Sequence, residues 1–140
     1  MTKFGVTLSI VKEGKLLFET DSHTVLGFLR AIDVLSDDLA DSSVADKVVG
    51  KAVGLLCVYA QIKSLYASTL SNSAKEVLQQ NKIYYEYGVL VDCILDRQGT
   101  NICPFEHLVA GTSDPKRAYK KIVQFFNSKN KVDSRSPNSF

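Results

Sequence analysis

The chain is short of the residues that build metal centres and disulfide frameworks. Among its 140 residues there are three cysteines and two histidines. Cys57, Cys93 and Cys103 are odd in number and widely spaced, which argues against a disulfide framework and fits a reducing compartment. His23 stands ahead of the first helical run without an acidic or cysteine partner at metal spacing, so neither a metal nor any other cofactor is expected. Long apolar runs are also missing. The stretch from Phe4 to Ile10 soon meets Lys12 and Glu13, which leaves no room for a signal peptide or a membrane span, and a cytoplasmic location is expected. Charge of one sign is scarce, with 17 basic against 15 acidic residues. Lys and Arg do crowd Lys116 to Arg135, but without interleaved aromatics or a nucleic-acid motif, so nucleic acid is not expected as a partner. What remains is an ordinary globular composition, 45% hydrophobic and 23% charged, of a length that suits one domain with one core.

The pattern along the chain alternates strands and helices. Phe4 to Val11 and Leu16 to Phe18 are β-rich around Gly14, which suits a tight hairpin turn. From Thr24, apolar residues recur at helical spacing up to Leu35. The run Ser43 to Ala60 places Val48, Val49, Ala52, Val53, Leu55 and Leu56 on a broad apolar arc and reads as one central helix. Ile62 to Thr69 is β-prone, and Ser71-Asn72-Ser73 supplies an N-cap for a helix over Ala74 to Gln80. Ile83 to Tyr87 and Val89 to Leu95 read as two strands around Gly88, with Asp96 to Gly99 as a turn. Cys103-Pro104 opens a short helix, and Ser113-Asp114-Pro115 caps a last one whose apolar face carries Ala118, Tyr119, Ile122, Phe125 and Phe126. No internal repeat is present. Residues 1–127 therefore form a single α/β domain, with a sheet covered by helices on both sides, and 128–140 read as a disordered polar tail.

Charge falls where burial is expected in Ser43-Val-Ala-Asp-Lys-Val-Val-Gly-Lys. On a helix, at about 100° per residue, Asp46, Lys47, Gly50, Lys51 and Gly54 share one side. Two glycines four apart in a helix interior each cost roughly 1 kcal/mol relative to Ala, which suggests close approach by a packed element or a ligand. Ser43 and Asp46 also satisfy the Ser-x-x-Asp capping-box pattern, a structural explanation for both. Lys47 opposes the dipole of such a helix, which an acid or an anionic ligand would offset. Cys103 is a second candidate, as a thiol at a helix N-terminus with His107 four residues on; as a small buried hydrophobe at a corner it needs no chemistry. Glu106 reads as facing water. Tyr84, Tyr85 and Tyr87 read as core or interface packing.

The order of elements, together with Ser43-Val-Ala-Asp-Lys-Val-Val-Gly-Lys-Ala, Asp96-Arg-Gln-Gly-Thr and Ile102-Cys-Pro-Phe-Glu, resembles the domain-of-unknown-function family 1893 over about Leu8 to Val123. What the resemblance implies is a cytidine deaminase-like fold, a three-layer α/β/α arrangement on a mixed sheet of about five strands. It does not carry deaminase chemistry. Zinc deaminases place His-x-Glu on one helix and Pro-Cys-x-x-Cys at the start of the next. Here Val44 stands for the first ligand, Asp46 falls near the general acid/base, and Ser71-Asn72-Ser73-Ala74 replaces the cysteine pair, so no zinc is expected.

Three functions stay open at this point. One is the binding of a small anionic or nucleotide-like ligand where two helix N-termini converge, bearing Ser43, Asp46, Lys47, Lys51, Ser71, Asn72 and Ser73. A second is a metal-independent enzyme using Asp46 and Lys47 as an acid/base pair or Cys103 as nucleophile. The third is an interaction protein that self-associates through an exposed strand edge or its tyrosine-rich strand, a homo-oligomer with no small-molecule site.

Overall fold

The computed structural model describes residues 5–96 and 98–133. Strands β1 (Leu8–Lys12) and β2 (Lys15–Thr20) form an antiparallel hairpin. Its two turn residues, Glu13 and Gly14, both have positive φ, at 52° and 77°, the twist that a two-residue hairpin turn requires. β1 pairs on its other side, antiparallel, with β3 (Ser43–Val49). β3 then runs parallel to β4 (Ser64–Ser71), and β4 parallel to β5 (Tyr84–Val91). The result is a mixed five-stranded sheet in the order β2-β1-β3-β4-β5. The α/β class and the mixed five-stranded sheet agree with the sequence reading.

Each crossover is a helix: α1 (Thr24–Leu35) before β3, α2 (Lys51–Tyr59) before β4 and α3 (Asn72–Gln80) before β5. α1 packs on β1, β2 and β3, α2 on β3, and α3 on β4 and β5, and α2 touches both α1 and α3. Helices that touch one another share one face of a sheet, so all three lie on the same side. α4 (Pro104–Val109) and α5 (Pro115–Asp133) pack on the back of α2. This wedging explains why Ala52 to Cys57 are buried without a break and why α2 has little amphipathic character. The rings of Tyr59 on α2 and Tyr119 on α5 stack nearly parallel at 4.2 Å. The layers in this part of the molecule run sheet, helices, helices. Among the described residues no helix covers the second face, where Tyr66, Tyr84, Ser68 and Glu86 are exposed.

The principal correction concerns Ser43 to Val49, which is a strand and not the opening of the central helix; α2 begins only at Lys51. Inward residues on β3 are Val44, Asp46 and then Val49, and on β4 Leu65, Ala67 and then Leu70. A step of two followed by a step of three is not strand alternation, and it mimics helical spacing. The ladder is interrupted at the row of this step: Lys47, Ser68 and Gly88 carry no pairing between β3, β4 and β5. Gly88 lies inside one strand and does not separate two; a Cβ there would sit 2.9 Å from the Ser68 carbonyl oxygen. Gly54, by contrast, would meet Ala74 at an ordinary 3.6 Å, so it is not held by close approach. α5 continues past Ser128 to Asp133, while 134–140, like Phe4, lie outside the described residues.

These two glycines separate in a mutational test. Gly88→Ala is expected to lower stability by about 1–3 kcal/mol, because backbone must shift to admit the methyl group. Gly54→Ala is expected to be neutral or to gain up to about 1 kcal/mol from helix propensity. Urea denaturation midpoints check both.

Candidate functional site

A cavity of about 600 Å³ opens beyond the carboxyl end of β3, where the first turns of α1, α2 and α4 meet the loop that follows β5. Val25, Val48, Val53, Ile94, Leu95 and Phe105 give it a largely apolar wall. His23, Thr24, Lys47, Asp96, Gln98, Cys103 and Glu106 supply its polar groups. The cavity sits at the carboxyl end of β3 beside the amino end of β1, which runs antiparallel to it.

Hydrogen bonds fix the side chains of His23, Thr24 and Asp96 and the backbone of Lys47, Gln98 and Cys103. His23 is the N-cap of α1, its Nδ1 accepting from the Val25 N–H at 3.3 Å, with its ring 5.3 Å from that of Phe105. Thr24 donates its hydroxyl to the Val48 carbonyl at 3.4 Å. The Lys47 N–H donates to the Thr7 carbonyl at 3.1 Å, which anchors the irregular row of β3 against the segment leading into β1. Asp96 Oδ1 accepts from the N–H groups of Gln98 and Thr100 at 3.1 and 3.2 Å, and the Cys103 N–H donates to Ile94 at 2.9 Å. The loop is thereby pinned across the cavity mouth.

Glu106 corrects the sequence reading most sharply. It does not face water: its Oε1 accepts from the Lys51 N–H at 2.8 Å and its Oε2 from the Ala52 N–H at 2.9 Å. Gly50, the N-cap of α2, has no side chain to offer, and a Cβ there would stand 2.6 Å from the Glu106 carboxyl group. The glycine exists to admit the carboxylate. A helix N-terminus is a ready anion seat, and here the protein fills it with its own anion.

The other predicted residues disperse. Lys47 and Cys103, the latter 7% exposed, share the cavity. Ser43 bonds to Ser64 at 2.6 Å between the hydroxyls, at the amino ends of β3 and β4. Lys51 donates Nζ to the Ala110 carbonyl at 3.3 Å. Ser71 caps α3 by accepting from the Ala74 N–H at 3.1 Å, its hydroxyl 3.2 Å from that of Ser73, and Asn72 donates to Asp92 at 2.9 Å. None of these lines the cavity, so the N-termini that converge are those of α1, α2 and α4, not of α2 and α3. His23, Thr24, Asp96 and Glu106 complete the site, and Gly50 was the one sequence signal that pointed to Glu106. Val44 and Asp46 belong to a strand, which removes their correspondence to a zinc-deaminase helix. Among the described residues no group of three His, Cys, Asp or Glu is placed to hold a metal.

Asp46 points into the core, 3% exposed, with neither carboxyl oxygen in a hydrogen bond. Burial pushes its pKa well above the ordinary carboxylate value; the nearby N–H groups of Val48 and Lys47 oppose this only in part, since neither meets hydrogen-bond geometry. Cys57 is wholly buried and its thiol is pushed up as well, first by burial and then by Asp46. A carboxyl group with a raised folded pKa binds its proton more tightly when folded. Stability therefore rises as pH falls from above that pKa towards 3.8, and is penalised above it.

Two expectations follow from Glu106 and Asp46. Glu106→Ala leaves the α2 N–H groups without a partner and is expected to cost about 1–2 kcal/mol, with Gly50→Ala similar because it displaces the carboxylate. Asp46→Asn is expected to be the more stable protein at pH 8, by roughly 1–3 kcal/mol, with the difference shrinking as pH approaches 4. Denaturation midpoints across pH read both effects. A variant at 46 that lost stability equally at every pH would contradict the second.

A family model described as "TM1506: Domain of unknown function (DUF1893)" matches residues 1–126. Among solved structures, a DUF1893 family protein (TM1506) from Thermotoga maritima superposes with a TM-score of 0.79 at 24% identity, covering 85% of this chain and 80% of that one. That likeness is one of fold. Acinetobacter baumannii RibD, form 1, gives a TM-score of 0.49 at 16% identity, covering 59% of this chain and 28% of that one. No curated protein matches the chain.

Proposed function

The chain belongs to the DUF1893 family of domains of unknown function, and from that premise we propose that it is a binding module for a small ligand with an apolar or aromatic body and one anionic group. The observation that carries this reading is Lys47 on the wall of the cavity of about 600 Å³. It is the one lysine or arginine among the described lining residues, set against a mainly apolar surface, the arrangement by which pockets orient a ligand through a few polar groups. Glu106 narrows the ligand further. With the α2 N–H groups already satisfied by a carboxylate, an anion has no seat on that helix and is left to Lys47. Asp96 and Gln98 stand at the loop side, suited to donor groups on the remainder of the ligand.

The test is thermal denaturation with a panel of aromatic carboxylates and nucleoside monophosphates. A ligand at about a hundred times its Kd adds about 2.7 kcal/mol and raises Tm by several degrees. Lys47→Gln is expected to abolish most of the shift while leaving the unliganded Tm nearly unchanged, since its side chain is exposed. No shift from any member of the panel, or an equal shift in Lys47→Gln, overturns the reading.

A further inference from the structure

The two edges of the sheet are built differently. β2 carries Lys15 and Glu19, and its pairing with β1 shifts register between Ile10 and Val11. Charges and bulges are the usual means by which an edge strand discourages another strand from adding to it. β5 is less protected. Its eight residues, Tyr-Tyr-Glu-Tyr-Gly-Val-Leu-Val, include one charge, Glu86. Tyr84 is 56% exposed and Val89 58%, and β5 pairs only with β4, so among the described residues its outer row of backbone N–H and C=O groups has no strand opposite it. The chain after β5 turns back towards the cavity, where Ile94, Leu95 and Asp96 line the wall, and no described residue after it pairs along this edge.

We propose that β5 is a self-association edge, on which a second copy of the chain adds its own β5, antiparallel, about a two-fold axis. The unpaired backbone row requires a strand as its partner, and the sequence of β5 suits a copy of itself. With Tyr87 opposite the partner's Gly88, an aromatic ring covers a glycine on each side of the axis. In that register Glu86 faces the partner's Val89 and Tyr84 faces the partner's Val91. The single charge of each strand thus never meets its like, and Tyr84 meets a β-branched residue, a favourable cross-strand pair. Ten strands then form one continuous sheet. The ligand cavity lies beyond the carboxyl end of β3, so this contact is independent of the binding reading above.

Sedimentation equilibrium under reducing conditions tests the proposal, the reductant being needed because Cys93 is exposed. A concentration-dependent species of twice 15.4 kDa is expected. Two variants at one exposed position fix the register. Val89→Glu puts a second acid against the partner's Glu86 and is expected to weaken association at least about tenfold, whereas Val89→Lys puts a base there and is expected to preserve or tighten it. Far-UV circular dichroism and urea midpoints confirm that both variants fold; should either not fold, Glu86→Lys in the wild-type background, which leaves the register free of like-charge contacts, is expected to keep the dimer. A mass of 15.4 kDa at every concentration, or the same effect from both Val89 variants, overturns it.

Discussion

One carboxylate bridges the two halves of the molecule. Glu106 reaches across 55 positions of sequence to accept from the first two N–H groups of α2. α2 is the element on which the rest converges, lying between the sheet and the outer pair α4 and α5. Without a partner, its buried N-terminus would hold unpaired donors beside an apolar cavity, an arrangement that costs more than the bond itself contributes. Gly50 is the complementary half of the device, since any side chain there would occupy the place of the carboxyl group. The same bond ties α4 to α2 at the wall of the cavity, which Gly50, Ala52 and Glu106 all line.

That bond also removes two helix N–H groups from the lining of the cavity. A cleft at the carboxyl ends of strands, ringed by helix N-termini, ordinarily attracts anions through several backbone N–H groups at once. Here His23 takes one such donor on α1 and Glu106 takes two on α2. On the binding reading proposed above, an anionic group is left to the single side chain of Lys47, set among mainly apolar wall residues. Asp46, one residue earlier, faces the opposite way into the core. Adjacent residues on a strand diverge in this manner by necessity.

Local signals were legible in the sequence and long-range ones were not. The hairpin around Gly14, the Ser71 cap, the Pro104 start of α4 and the apolar face of α5 all rest on residues within one or two turns of each other, and the structure has them. β3 was hidden for a specific reason. Its inward residues Val44, Asp46 and Val49 break the period of two and run without pause into Ala52, Val53 and Leu55 of α2, so strand and helix together imitate one long helix. Asp46 then fell by coincidence into a capping-box pattern. Glu106 and Gly50 could be paired only in three dimensions, although the glycine had already marked a place of close approach. Lys47 and Cys103 were found by the unusual placement of charge and thiol, and both do line the cavity.

The interrupted row through Lys47, Ser68 and Gly88 has one more effect. Parallel strands with uniform alternation can slide by two residues and bury nearly the same surface. Strands that each change their inward parity at a shared row cannot, because a slipped neighbour would carry its change of parity out of line. Lys47 or Ser68 would then be driven inward, and Val49 or Leu70 outward. The irregularity is therefore a vernier mark cut into the sheet, permitting one alignment of β3 on β4 and penalising every other.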